Sequence, residues 1–372
     1  MKIIIAICVL FISGVFLQAR IITVDNKYPS MCDYTNLQDA HDAANSGDTI
    51  YVYPSSISYD TLSANKKIIL IGTGWETSNN YTYNSTITGT IKLLNGADYS
   101  KIIGFTGSPI IWIDADNTQI LRNKLGGIII FDNHLGTVIQ NNIIKCNVLF
   151  REPYFRYYTC MYIAGNNSII MSNNIIDERR FDSYRHLHVI VSEYGDRAPF
   201  NSFSSTENIT LTMNNNFFLT KEMGQYQTTS GIMLSEGSNS LIAFNNIHHA
   251  IDFNYNGFYY PYASNCIANF CGIKDWFLFP NENGNNNNVQ MSDVFVNWDP
   301  NNLDNCDFHL KPNSPAKGTG RNGEDMGIYG GSTPFVDGGY PGIPSIIELD
   351  ADIVGSKQSG IKVKIKAKSN KD

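Results

Sequence analysis

Apolar and polar positions recur along this chain in one short pattern. Four stretches overlay without a gap: 116–125, 135–144, 167–176 and 239–248. Each carries an asparagine (Asn123, Asn142, Asn174 or Asn246) just before a short run that is apolar in most copies. Each carries an apolar pair a few residues earlier, clearest as Val138/Ile139, Ile170/Met171 and Ile242/Ala243. A looser copy spans 208–217. Repetition of this kind stacks equivalent positions on one another, so it sets the architecture before any single segment is read. The marker asparagines stand 19, 32 and 72 residues apart, the last gap holding the looser copy. About twenty residues per unit is shorter than the two-helix repeats of about 33–47 residues. Leucine-rich repeats have a similar length, but their leucine pattern is missing. The units are Ile-, Val- and Phe-rich runs broken by Asn, Gly, Ser and Asp, which predicts short strands between tight bends. Strands stacked in parallel, one coil above the next, make a parallel β-helix. The marker asparagine is expected to do two things at the bend. It tolerates the left-handed conformation a sharp turn needs, and its amide can bond the same asparagine one coil away. Ile139 and Met171 are expected inside, and Ile170 at a position where a charge would be buried.

Ahead of the repeats the periodicity changes. Asn36 is placed to cap a helix from Leu37 to about Asn45, with Leu37, Ala40, His41 and Ala44 on one face and Gly47 as its stop. A helix there would cover the apolar end of the stack, which a solenoid needs for solubility. Strands are expected at 49–53, 67–71 and 90–93. The regular coils are expected from about residue 100 to 269, with insertions at 146–160, 177–206 and 219–230. Past 345, two alternating runs separated by 355–360 read either as a small C-terminal β-hairpin with a basic outer face or as a frayed tail.

Composition changes little in this picture. Charged residues are 16% of the chain, and the formal net charge is −7. With no basic stripe outside the far C-terminus, nucleic acid is not expected as a partner. Residues 1–19 read as a signal peptide, with Lys2 at the start, an apolar run over 3–16 and Ala19 at the cleavage position. The apolar run is too short to span a membrane as a helix, and no later segment is long enough. The mature chain is therefore expected to be secreted or held at the cell surface, without a membrane span, and to be a monomer. Six cysteines would remain after cleavage: Cys32, Cys146, Cys160, Cys266, Cys271 and Cys306. Their even number permits disulfides, and small buried thiols fit equally well.

Two segments carry a resemblance. The run 33–54, with Leu37-Gln38, Ala40, Ala43 and Gly47-Asp48-Thr49-Ile50, resembles the opening of secreted right-handed parallel β-helix proteins of the pectin-lyase-like superfamily. The runs 307–320 and 325–331 resemble the closing segment of many such bacterial chains. The resemblance covers about residues 23–335. It implies an all-β, right-handed parallel β-helix over 20–340, with a short N-terminal capping helix and a β-rich tail over 341–372. It leaves activity open, since that superfamily holds lyases, hydrolases, epimerases, adhesins and structural proteins. The N-T-D, G-H-G and R-I-K motifs of its hydrolases are absent.

Three features could carry chemistry. The ungapped overlay sets Asp114 opposite Asn133, so Asp114, Asp132 and Asn133 could form an outward oxygen cluster on neighbouring coils, a candidate for Ca²⁺; a solvated sheet surface fits the same residues. The insertion at 177–206 holds Arg179, Arg180, Arg185 and His188, groups that suit the carboxylates of an acidic sugar, or that pair among themselves. Other insertions hold Tyr154, Tyr157 and Tyr259, rings that either stack on sugars or pack the loops. Insertions leaving from equivalent corners would become neighbours and form a basic, aromatic-walled groove. The function expected is binding, and in one reading cleavage, of an acidic polysaccharide or cell-surface glycan. The alternative is a non-catalytic adhesion or structural solenoid.

Overall fold

The computed structural model describes residues 19–76, 82–131, 133–145, 148–151, 156–164, 166–177, 186–192, 209–219, 232–233, 240–249, 263–264, 267–268, 284–286, 289–299, 302–351, 355, 358 and 360–368. Three large sheets dominate them, of ten, eight and six strands. All pairings within these sheets are parallel except that of Val148–Arg151 with Arg156–Ile163. From Lys124–Leu125 onward the chain visits the sheets in a repeating order. That strand belongs to the third sheet, Gly127–Ile130 to the second and Thr137–Gln140 to the first. The next round runs Ile143–Lys145, Arg156–Ile163 and Asn167–Ser172, and the one after it Ile175–Asp177, His186–Ser192 and Ile209–Asn214. The sheets stay open, with Ile21–Val24 and Ala263–Ser264 at the two edges of the first.

Strand alternation sends every second side chain into the space between the sheets. One column of the first sheet runs in register through Ile22, Ile50, Leu70, Ile102, Ile120, Ile139, Met171, Met213 and Ala243. Each is at most 2% exposed. Burying an aliphatic side chain of this size stabilises by about 1.5–3 kcal/mol. Ile139 and Met171 are inside, as the repeat implied. Ile170 is not: it is 45% exposed, and Ile242 is 42% exposed. An adjacent apolar pair on a strand can send only one member inward, so the expectation of a buried Ile170 fails.

Two residues join each first-sheet strand to the third-sheet strand that follows. The first of the two has positive φ: Arg122 (58°), Asn141 (58°), Asn173 (53°), Asn215 (56°) and Asn245 (57°). The second is the marker asparagine. The two uses expected of one asparagine are thus divided between neighbours. Asn123, Asn142, Asn174, Asn216 and Asn246 are fully buried and form a continuous ladder. Each Nδ2 donates to the next Oδ1 at 2.9–3.1 Å, and each backbone N–H donates to the same oxygen at 2.9–3.0 Å. Asn216 fills the rung of the looser copy, because register pairs Asn167 with Ile209. That is one residue later than an overlay of 208–217 on 167–176 implies.

Helix α1, Leu37–Ala43, begins where its cap residue predicts: the Asn36 side chain accepts from the Asp39 N–H at 2.8 Å. Leu37, Ala40, His41 and Ala44 are all buried. Gly47 does not end the helix; it turns the chain into the strand Thr49–Val52 at φ 95°.

The outer face of the third sheet is covered. Ile143, Ile175, Phe217 and Ile247 lie in register and point away from the main core. They pack beneath the segment 289–335, against Met291, Phe295, Phe308, Met326 and Ile328. The left-handed asparagines help to fasten this segment: Asn173 Nδ2 donates to the carbonyls of Ile328 and Gly330, each at 2.8 Å. Asn215 Nδ2 donates to those of Asp325 and Gly327. Beyond it, Ser345–Ala351 and Val363–Lys368 pair as an antiparallel hairpin. Cys160 is disulfide-bonded, whereas Cys32 and Cys306 are free thiols. Residues 1–18 of the expected signal peptide lie outside the described residues. No helix among the described residues is long and apolar enough to cross a membrane.

Candidate functional site

Covering the third sheet leaves an open groove of about 700 Å³ beside the covered column. One wall is the sheet itself, with Lys124, Lys145 and Asp177. Adjacent strands set Lys145 opposite Asp177. The covering segment contributes Asp304, Asp307, Phe308, His309 and Phe335 to the lining of the groove. Trp75, Glu76, Tyr329 and Asp337 also line it.

Trp75 reaches the groove because of a glycine. The Trp75 N–H donates to the Gly338 carbonyl at 2.8 Å. A Cβ on Gly339, whose φ is +61°, would collide with the indole ring. The indole Nε1 is buried without a hydrogen-bond partner. Lys124 Nζ lies 6.0 Å from the ring centroid, and Phe335 packs at 6.2 Å.

His309 is held from two directions. Its Nδ1 is 2.7 Å from Asp307 Oδ1, which also accepts the His309 backbone N–H at 3.0 Å. Its ring lies flat on Tyr329, with centroids 3.9 Å apart and planes 14° apart. Tyr329 is fixed in turn, its hydroxyl donating to Asp337 Oδ1 at 2.6 Å. The His309 N–H holds the Asp307 carboxyl below its ordinary range. Burial, then the Asp337 carboxylate, pushes the Tyr329 hydroxyl up. A carboxylate only accepts, so Nδ1 carries the proton of the pair, and in the neutral ring Nε2 is then the nitrogen with the free lone pair. Among the described residues nothing bonds Nε2.

The residues singled out from sequence fall differently. Arg179, Arg180, Arg185, Tyr154, Tyr259 and Asp132 lie outside the described residues. Tyr157 and His188 are on adjacent strands of the second sheet, where register pairs Tyr157 with His186 and Thr159 with His188. The strands ahead of the insertions at 146–160 and 177–206, Ile143–Lys145 and Ile175–Asp177, pair directly. Asp114 does not stand opposite Asn133, since the second sheet pairs Ile113 with Ile130. The overlay across first-sheet copies carried a spacing of 19 into a sheet whose strands here are offset by 17. Asp114 instead bonds His134 Nε2 at 2.9 Å, and Asn133 Oδ1 accepts from Asn166. His134 Nδ1 meets Asp116 at 3.1 Å. Among the described residues, no three His, Cys, Asp or Glu side chains gather as a metal site would require.

Sequence reasoning passed over Trp75, Lys124, Lys145, His309, Tyr329 and Asp337. One signal was present. Ile143/Ile144, Ile175/Ile176 and Phe217/Phe218 are apolar on both faces of a strand, so the outer face needs a cover. No family model matches the chain, and neither does any curated protein or solved structure.

Proposed function

We propose that this chain is an exported, monomeric, right-handed parallel β-helix of the pectin-lyase-like kind that binds a polysaccharide. The cyclic order of strands, the asparagine ladder and the capping helix support the architecture. The apolar start over 3–16 and the Cys160 disulfide support export.

The groove carries the functional reading. It offers the indole of Trp75 and a half-covered Tyr329 beside five carboxylates: Glu76, Asp177, Asp304, Asp307 and Asp337. Ring faces stack on sugar rings, and carboxylates accept from sugar hydroxyls. The five carboxylates face only two ammonium groups, Lys124 and Lys145. That balance repels a polyanion, so this groove suits a neutral or amino-bearing glycan. An acidic chain would belong instead to the arginine-bearing insertion at 177–206.

The test is affinity electrophoresis against xylan, β-glucan, chitosan, polygalacturonate and alginate. Xylan, glucan or chitosan should retard the protein, and Trp75→Ala should weaken that at least about tenfold, a loss of about 1.4 kcal/mol. Retardation by polygalacturonate or alginate alone, insensitive to Trp75→Ala, would move the site to the insertions. No retardation by any of the five would leave the adhesion or structural reading in its place.

A further inference from the structure

The groove contains one device that sugar binding does not need. His309 and Asp307 are both well exposed, at 56% and 46% of their side-chain surface. An exposed pair of this kind adds little to folding stability. Yet the imidazole is fixed in its plane by Asp307 and on its face by Tyr329, and Tyr329 is itself anchored by Asp337. Two supports behind one ring aim the neutral imidazole so that its basic nitrogen is Nε2, unbonded among the described residues, on a residue that lines the groove. A base oriented by a carboxylate and facing a cavity is the arrangement that activates water or a hydroxyl.

We propose that His309 is a general base that drives hydrolysis of an ester, an O-acyl group on a glycan held in the groove. This rests on the glycan reading above. Nε2 takes a proton from water as the water oxygen bonds the acyl carbon. The C=O pair moves onto oxygen, and Lys124 and Lys145 supply positive charge to the same groove for that oxyanion. When the intermediate collapses, the bond to the sugar oxygen breaks and that oxygen takes the proton from Nε2. Ester and water become carboxylic acid and alcohol, and His309 returns to its starting form. Asp307 is a positioning residue that holds the productive tautomer. An ester needs one group acting first as base and then as acid. A glycosidic bond needs two carboxyl groups flanking it at a set separation.

The experiment uses the full chain with O-acetylated xylan and 4-nitrophenyl acetate, measuring acetate release, and alkali-deacetylated xylan, measuring binding. Wild type should release acetate well above the uncatalysed rate. His309→Ala and His309→Gln should each lower kcat by about 100-fold or more, with binding to deacetylated xylan and the melting temperature unchanged. Asp307→Asn should lower kcat by a larger factor than it changes KM. Binding without acetate release by wild type, or release that survives both His309 substitutions, overturns the ester reading and leaves glycan binding standing. Failure to bind xylan together with failure to hydrolyse either ester overturns this proposal, and the glycan reading is then judged on the other four polysaccharides.

Discussion

Removing one rung from the asparagine ladder should cost more than any other small-for-large change at a bend. In Asn174→Ala the lost side chain makes four hydrogen bonds. Its Oδ1 accepts from the Asn142 backbone N–H at 2.9 Å and from Asn142 Nδ2 at 3.1 Å. Its Nδ2 donates to the Ile139 carbonyl at 2.8 Å and to Asn216 Oδ1 at 2.9 Å. A typical internal hydrogen bond contributes about 1 kcal/mol net, and a buried group left without a partner costs about 1–3 kcal/mol. The Asn142 N–H would be such a group, since the site is fully buried. Asn142 Nδ2 keeps two other acceptors, the carbonyls of Ile120 and Gln140, so its loss is small. The sum is roughly 4–6 kcal/mol. Asn141→Gly is the control. Asn141 sits one position before a rung at φ 58°, and its one side-chain bond, to the Thr333 carbonyl, is long at 3.4 Å. Glycine adopts that φ without strain, so the change should stay within about 1 kcal/mol. Urea denaturation followed by circular dichroism measures both variants. If Asn174→Ala loses less than about 1 kcal/mol, or no more than Asn141→Gly, the ladder does not hold the stack together.

Two further outcomes follow from burial and charge. Met171→Asp should lower stability by several kcal/mol, because it buries an unpaired carboxylate, whereas Ile170→Asp, one residue away and 45% exposed, should change it by under about 1 kcal/mol; equal losses in thermal melts would refute the assigned face. Asp116 has its pKa lowered below 3.8, chiefly by the Leu135 backbone N–H and further by His134. A carboxylate depressed in the folded state adds stability above its unfolded pKa and loses it as pH falls through the folded value. The difference in melting temperature between wild type and Asp116→Asn should therefore be full at neutral pH and shrink below about pH 3.8; a difference that grows on acidification would contradict the sign.

The pattern of residues was enough to read the repeat, the strands between bends, the helix capped by Asn36 and the stacked asparagines. These are local matters. Alternation, capping and left-handed turns depend on neighbours in the chain, and a repeated asparagine must meet its own copy when units stack. Alternation alone did not tell which member of Ile170/Met171 points inward. That was decided by register with Thr212/Met213 on one side and Val138/Ile139 on the other. Nor did overlaying first-sheet copies give the register of the second sheet, because the bends between the sheets differ in length, and Asp114 met His134 rather than Asn133 as a result. The groove was the least legible feature. Trp75, Lys124 and His309 come from three distant segments, and no local pattern ties them together. What joins them is the apolar outer column Ile143, Ile175, Phe217 and Ile247, which is stable only when the C-terminal chain lies across it. Which segment supplied that cover, and which polar side chains it left facing the uncovered strip, was decided by packing in three dimensions.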